Sequence, residues 1–289
     1  MPVITEHARA KVNLTLRVLG KRGDGYHELE SLVAFADAGD VVTLDLDASL
    51  GVRVSGPFGA SIAGENLVRV TLDKLSEAEP GLRLGAVTLE KRLPVAAGIG
   101  GGSADAAAVL RAVRRANPDM ADRVDWLGLA SKLGADVPVC VHNGPAMMRG
   151  TGELLRPVDN LPLLDVVLVN PQVPVPADKT ARVFRALAAA PVDPSPAPCK
   201  PLTFNSRAAL LAFMAATGND LLPPALGVVP EIRDVMAALK ACVGVGHVAL
   251  SGGGPTCFAV FPDEASARAA ANQLYAEYPD WWAVATKLS

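Results

Sequence analysis

Between Pro94 and Ala108 the chain reads Pro-Val-Ala-Ala-Gly-Ile-Gly-Gly-Gly-Ser-Ala-Asp-Ala-Ala-Ala, a glycine-rich loop running straight into a helix. Glycines at 98, 100, 101 and 102 let backbone N–H groups approach an anion without Cβ obstruction. Ser103 is placed to cap the helix, whose unpaired amides and dipole favour negative charge. No Gly-Lys-Ser/Thr closes the loop, so it is not a P-loop, and Ser103 stands where a dinucleotide fingerprint needs its third glycine. A plain tight turn fits the same letters. Phosphoryl transfer needs a phosphate cradle, cations, and a base for the acceptor hydroxyl. Lys11 and Lys91 are the candidate cations, and Asp136 in Gly134-Ala-Asp-Val-Pro138 is the candidate base. A lysine beside such an aspartate favours the charged carboxylate and helps the acceptor oxygen develop charge. Each also has an ordinary reading: Asp136 as a turn residue bonding its own backbone, Lys91 as a strand-end lysine extending to water.

These residues need elements to hold them. Val12, Leu14, Leu16 and Val18 alternate with Lys11, Asn13, Thr15 and Arg17, which predicts a half-buried strand with one polar face. Gly20 to Gly25 is turn chemistry, followed by an apolar stretch to Phe35 and a second alternating strand over 41–47. Asn66 is placed to cap a helix, and 84–93 reads as a strand in which Lys91 shares parity with Val87, Leu89 and Leu93. The glycine loop's helix is stopped by Asn117-Pro118. Another helix spans 121–133, with Gly134 suited to a left-handed C-terminal position. From about residue 161 a second region offers a strand over 163–170 and a helix capped by Asp178. Helices over 206–217 and 230–241 follow, then strand, turn, strand, helix and strand to the end. Pro191 to Pro201 holds five prolines in 11 residues and reads as a loop. The expected class is α+β, with domains over 1–160 and 161–289.

Composition narrows the partners. Half of the 289 residues are apolar, enough for a full core. Lys plus Arg total 27 against 30 acidic residues, a net charge of −3, which argues against nucleic acid or an anionic membrane as main partner. Cys140, Cys199, Cys242 and Cys257 are too scattered for zinc and read as free thiols of a reducing compartment. No apolar run approaches the ~18 residues of a membrane span, and the first 30 residues lack a secretory layout. A cytoplasmic protein is expected.

The loop from Pro94 to Ala107 resembles the ATP-binding motif of the GHMP kinases, the superfamily of galactokinase, homoserine kinase and mevalonate kinase. Ala10-Lys-Val-Asn-Leu-Thr-Leu, Gly20-Lys-Arg-Gly-Asp-Gly-Tyr-His-Glu-Leu, Gly134-Ala-Asp-Val-Pro and Gly150-Thr-Gly-Glu resemble, within it, the kinases of 4-diphosphocytidyl-2-C-methyl-D-erythritol. The resemblance implies a two-domain fold: an N-terminal ribosomal-S5-like α/β domain, a C-terminal ferredoxin-like α/β sandwich, and an active site in the cleft. It implies ATP over Lys91, Pro94, Ala96, Ala97, Gly98, Ile99, Gly100, Gly101, Gly102 and Ser103, with magnesium accompanying the nucleotide. Asp136 would be general base toward the acceptor 2-hydroxyl and Lys11 its assistant. Asn13 would contact the acceptor, and Tyr26, His27 and Phe184 would hold cytosine, with Thr180 a polar neighbour. Phe184 also fits the apolar face of its helix. Gly252 lies in Ser251-Gly-Gly-Gly-Pro-Thr, which resembles the family's second glycine segment with Gly253 in place of a serine. The partners implied are small molecules in the non-mevalonate isoprenoid route. Two other readings stand beside it: a GHMP kinase for mevalonate, homoserine or a sugar, and a non-catalytic ATP-binding sensor. The sensor would be free to lose its base, yet Lys11 and Asp136 are both present.

Overall fold

A computed structural model describes residues 3–62, 64, 66–193 and 202–289. Most of the proline-rich stretch, and Cys199 with it, lies outside them. The chain forms two compact units, each made of three segments. Unit 1 is Met1–Lys11, Gly39–Val95 and Gly100–Asn143; unit 2 is Val12–Ala38, Ala96–Ile99 and Gly144–Ser289.

Strand β1 spans Ile4–Asn13, and β2 spans Arg17–Lys21. The alternation at 11–18 does not produce a solvated polar face: Lys11, Asn13 and Thr15 are as buried as Val12 and Leu14. Lys11 Nζ and Asn13 Nδ2 donate to other side chains instead, and Thr15 accepts from the Leu32 amide. Strand β3 is one continuous element, His27–Asp45, where the sequence suggested two. Between the apolar stretch and residues 41–47, Asp40 is fully buried rather than exposed in a turn, and the strand runs on through it.

In unit 1, residues 41–45 of β3 pair antiparallel with β5 (Ala86–Glu90), and β5 pairs parallel with β4 (Gly51–Ser55). Helix α1 (Leu67–Ala78) starts at Asn66, whose side chain accepts from the Val68 amide as expected. Helix α2 (Gly101–Ala116) buries Ala106, Ala107, Val109, Leu110 and Val113. Its alanines let it pack closely against α1 and against α4 (Val137–His142). The helix expected over 121–133 is a 3-10 turn, Pro118–Arg123, then α3 (Trp126–Leu133), restarted by the Asp125 cap. Gly134 has φ 162°, which is extended rather than left-handed, because the chain turns directly into α4.

In unit 2, residues 29–33 of β3 pair with β6 (Ala146–Gly150), and β6 pairs with β7 (Leu154–Pro157). A four-stranded antiparallel sheet follows, in the order β11 (Trp282–Leu288), β8 (Leu164–Asn170), β10 (Cys257–Phe261), β9 (His247–Leu250). Helix α5 (Lys179–Leu187) packs on α7 (Leu222–Val228), and α6 spans Arg207–Thr217. Helix α8 (Ile232–Ala241) precedes β9 and α9 (Glu264–Glu277) precedes β11; both pack on the sheet. Strand, helix, two strands, helix, strand in this order is the ferredoxin-like arrangement. Its core joins Val167, Val169, Ile232, Val235, Ala259, Phe261, Ala267 and Leu274. No helix among the described residues is long and apolar enough to cross a membrane.

Candidate active site

Unit 1 brings the glycine helix and the Lys–Asp pair together. Helix α2 begins earlier than expected: Gly100, with φ +65°, is its N-cap, and Ser103 is its third residue, not its cap. A left-handed start suits glycine, and a Cβ at Gly100 would lie 3.2 Å from the Cβ of Lys11. The Lys11 stem therefore runs beneath the first turn of α2. Its Nζ donates to Asp136 Oδ2 at 2.9 Å. Lys11 is buried, while the Asp136 side chain is 36% exposed. Asp136 stands at the N-cap of α4 yet makes no capping hydrogen bond, so the plain turn reading does not describe it.

Lys91 departs from its expected role. It does not reach solvent: it is 3% exposed, its Nζ 2.5 Å from Asp40 Oδ2 and 2.7 Å from Asp105 Oδ2. A buried ammonium is stable only with such partners. Burial alone would lower its pKa, but Asp105 and Asp40 together raise it above the ordinary lysine value. Burial pushes the Asp105 carboxyl up to about 8 against the pull of Lys91, with Asp40 adding to the rise. Asp40 also accepts from the amides of Arg92 and Leu93. A Cβ at Gly101 would lie 3.1 Å from Lys91 Nζ, so this cluster underlies the glycine helix rather than presenting a cation to phosphate. Asp40 and Asp105 were not singled out from sequence. The available signal was an aspartate at position 105 inside an alanine run and one opening the alternating strand at 41–47.

Unit 2 gathers the second set. Asn13 Nδ2 donates to Ser31 Oγ at 2.7 Å, the Asn13 amide donates to Ser251 Oγ, and Asn13 Oδ1 is buried without a partner. Ser251 Oγ donates in turn to the Gly98 carbonyl at 3.0 Å. A Cβ at Gly252 would lie 3.1 Å from that carbonyl and 3.3 Å from Asn13 Oδ1. Gly98 itself, at φ +79°, has room for no side chain: a Cβ would meet the Gly254 carbonyl oxygen at 2.5 Å. His27 and Phe184 stack with centroids 4.7 Å apart and planes 24° from parallel. Phe184 is half-buried and packs against the unit's core, as the apolar face of its helix predicts. Burial, with Lys21 second, lowers the His27 pKa and keeps the ring neutral at pH 7. Tyr26 is 67% exposed and closes the Arg22–Tyr26 turn, its carbonyl accepting from the Arg22 amide. Thr180 is exposed, while its neighbour Lys179, which the sequence did not flag, is buried. Cys140, Cys242 and Cys257 are free and buried, and no group of three metal-ligating side chains occurs among the described residues.

Known proteins resemble the chain along its whole length. The family described as GHMP kinases N terminal domain matches residues 66–144, and that described as GHMP kinases C terminal matches residues 204–280. The chain is 49% identical over 296 residues to the 4-diphosphocytidyl-2-C-methyl-D-erythritol kinase of Rhodopseudomonas palustris, covering 99% of this chain and 97% of that one. It is 49% identical over 283 residues to the enzyme of the same name from Parvibaculum lavamentivorans, covering 96% of each. A crystal structure of 4-(cytidine 5'-diphospho)-2C-methyl-D-erythritol kinase superposes with a TM-score of 0.77 at 34% identity, over 99% of both chains. Homoserine kinase from Cytophaga hutchinsonii superposes at 0.68 with 17% identity, over 100% of this chain and 95% of that one, a likeness of fold alone. A lysine–aspartate pair under a glycine-led helix, the ferredoxin-like second unit and full-length identity near one half all point the same way: the chain belongs to the GHMP kinases, in the family of the 4-diphosphocytidyl-2-C-methyl-D-erythritol kinases.

Proposed function

We propose that this chain transfers the γ-phosphoryl group of ATP to the 2-hydroxyl of 4-diphosphocytidyl-2-C-methyl-D-erythritol. The observation that carries the chemistry is the Lys11–Asp136 pair, whose lysine stem lies beneath Gly100 at the start of α2. In the reaction the acceptor oxygen forms the new bond to the γ-phosphorus and its proton passes to Asp136. ADP leaves with the oxygen that bridged the β- and γ-phosphates. Lys11 offers a fixed positive charge where the acceptor oxygen becomes negative, which lowers the barrier without reorganisation. Phosphates lie over residues 94–103, the first amides of α2 donating to them. Magnesium would enter with the nucleotide substrate and offset its phosphate charge, and the Ser103 hydroxyl would help to hold it.

The acceptor's cytosine is held by His27 and Phe184, with Tyr26 closing from the turn and Thr180 beside it. The unpartnered Asn13 Oδ1 and the Gly252 turn take its polar backbone. A polar group left unpaired in a buried site discriminates strongly for a ligand that satisfies it. The test is ADP release from Mg-ATP with the cytidine compound, mevalonate, homoserine or galactose, with Asp136→Asn as control. Release with the cytidine compound alone, abolished in the variant, is the expected result. Release with another acceptor would move the chain elsewhere in the superfamily, and silence with all four would favour a sensor.

A further inference from the structure

Residues 96–99 of the glycine loop belong to unit 2, and three consecutive carbonyls there are each taken by a donor. Lys179 Nζ donates to the Ala96 carbonyl at 3.1 Å, the Thr256 amide to the Ala97 carbonyl at 3.1 Å, and Ser251 Oγ to the Gly98 carbonyl at 3.0 Å. In a trans peptide the carbonyl and the following N–H point in opposite directions. Fixing these carbonyls therefore aims the N–H groups of Ala97, Gly98 and Ile99 to the other side. None of the three donates a hydrogen bond among the described residues. Ala96 is a non-glycine residue held at φ +54°, a conformation that persists only where its surroundings impose it.

Lys179 is the unusual member of this clamp. It is the first residue of α5, 4% exposed, and its Nζ donates to the Gly254 carbonyl as well as to Ala96. No carboxylate pairs with it among the described residues, and burial alone lowers its pKa, to about 8. At neutral pH it is thus a buried positive charge balanced only by two carbonyl dipoles. Such a charge opposes folding unless something else favours it. An anion on the adjoining loop would do so.

We propose that Lys179 is a positioning residue for the nucleotide: its ammonium ties Ala96 to Gly254 and so turns the loop amides of residues 97–99 toward the phosphates. The inference rests on the reading that this loop holds ATP. Its test is calorimetric binding of magnesium and a non-hydrolysable ATP analogue, and separately of cytidine 5'-diphosphate, to the wild type, Lys179→Met and Lys179→Gln. Circular dichroism identifies the folded variants. Lys179→Met should weaken the ATP analogue by about tenfold or more, the loss of a charge-assisted hydrogen bond. Lys179→Gln, which keeps one donor, should weaken it less and serves if the Met variant does not fold. Cytidine diphosphate should bind within about twofold of wild type throughout, a split that a general structural role would not produce. Unchanged affinity for the ATP analogue in either folded variant, or equal losses for both ligands, would overturn the proposal. A wild type that binds cytidine diphosphate but not the ATP analogue would overturn the reading of the loop itself, and the proposal with it.

Discussion

The Lys11–Asp136 pair invites a double-mutant cycle: Lys11→Met, Asp136→Asn and the two combined. Two unit charges at the observed 2.9 Å attract by about 6 kcal/mol at an effective dielectric of about 20 and by about 1.4 kcal/mol at about 80. Because a third of the Asp136 side chain meets solvent, the smaller figure is nearer, and a coupling of about 1–2 kcal/mol is expected in urea unfolding. Turnover should respond more strongly. Removing a general base costs about 100- to 10,000-fold in kcat, or about 3–5 kcal/mol of barrier. Lys11 acts on the same oxygen as that base, so the double variant should be no slower than the worse single one by more than about threefold. The assay is ADP release at saturating ATP and acceptor, beside melting curves to confirm folding. Losses that multiply would mean the two side chains act separately. A kcat for Asp136→Asn within about tenfold of wild type would remove the carboxylate from the mechanism.

His27→Ala, which strips the stacking partner from Phe184, should raise the acceptor KM about tenfold while leaving the ATP KM within about twofold; an unchanged acceptor KM would refute the cytosine site. Lys91→Met leaves Asp40 and Asp105 buried without their counter-charge and should cost about 3–5 kcal/mol in urea unfolding. A cost below about 1 kcal/mol would show that the two carboxylates manage by sharing a proton. Lys179 has a folded pKa near 8 against an ordinary 10.5, so the unfolded chain holds this proton more tightly. Relative to Lys179→Met, wild-type stability should therefore be flat below about pH 8 and climb, by up to about 3 kcal/mol, toward about pH 10.5. A difference that stays flat across that range would refute the burial argument.

Elements with strong punctuation were legible. Asn66, Ser206 and Asp263 each cap the helix that follows, and Asn117-Pro118 ends α2 where expected. Helix α7 was not among the expected elements; it carries Pro223 and Pro224 in its first turn, where proline is well placed. The Lys11 and Asp136 side chains were readable as types, but their meeting spans 125 residues and follows only from folding. Lys91 shows the opposite failure. Its parity with buried residues was visible, yet the two aspartates that make burial tolerable come from 51 and 14 residues away. Ser103 misled because Gly100 could begin the helix in a left-handed conformation, three residues ahead of the obvious cap.

The segmented layout of the units bears on how the chain is made. Unit 1 is complete once residue 143 has been synthesised, yet residues 12–38, translated in the midst of it, belong to unit 2. Strands β1 and β2 precede β3 and pair with it, but two other partners follow much later: β6 at 146–150, and β11 at 282–288, where Leu288 pairs with Ala36 and Ser289 exchanges backbone hydrogen bonds with Phe35. The apolar half of β3 therefore waits for β6 and β11 long after it has been synthesised. Nascent chains stalled shortly after residue 143 should already protect α2, while the first half of β3 still lacks β6 and β11.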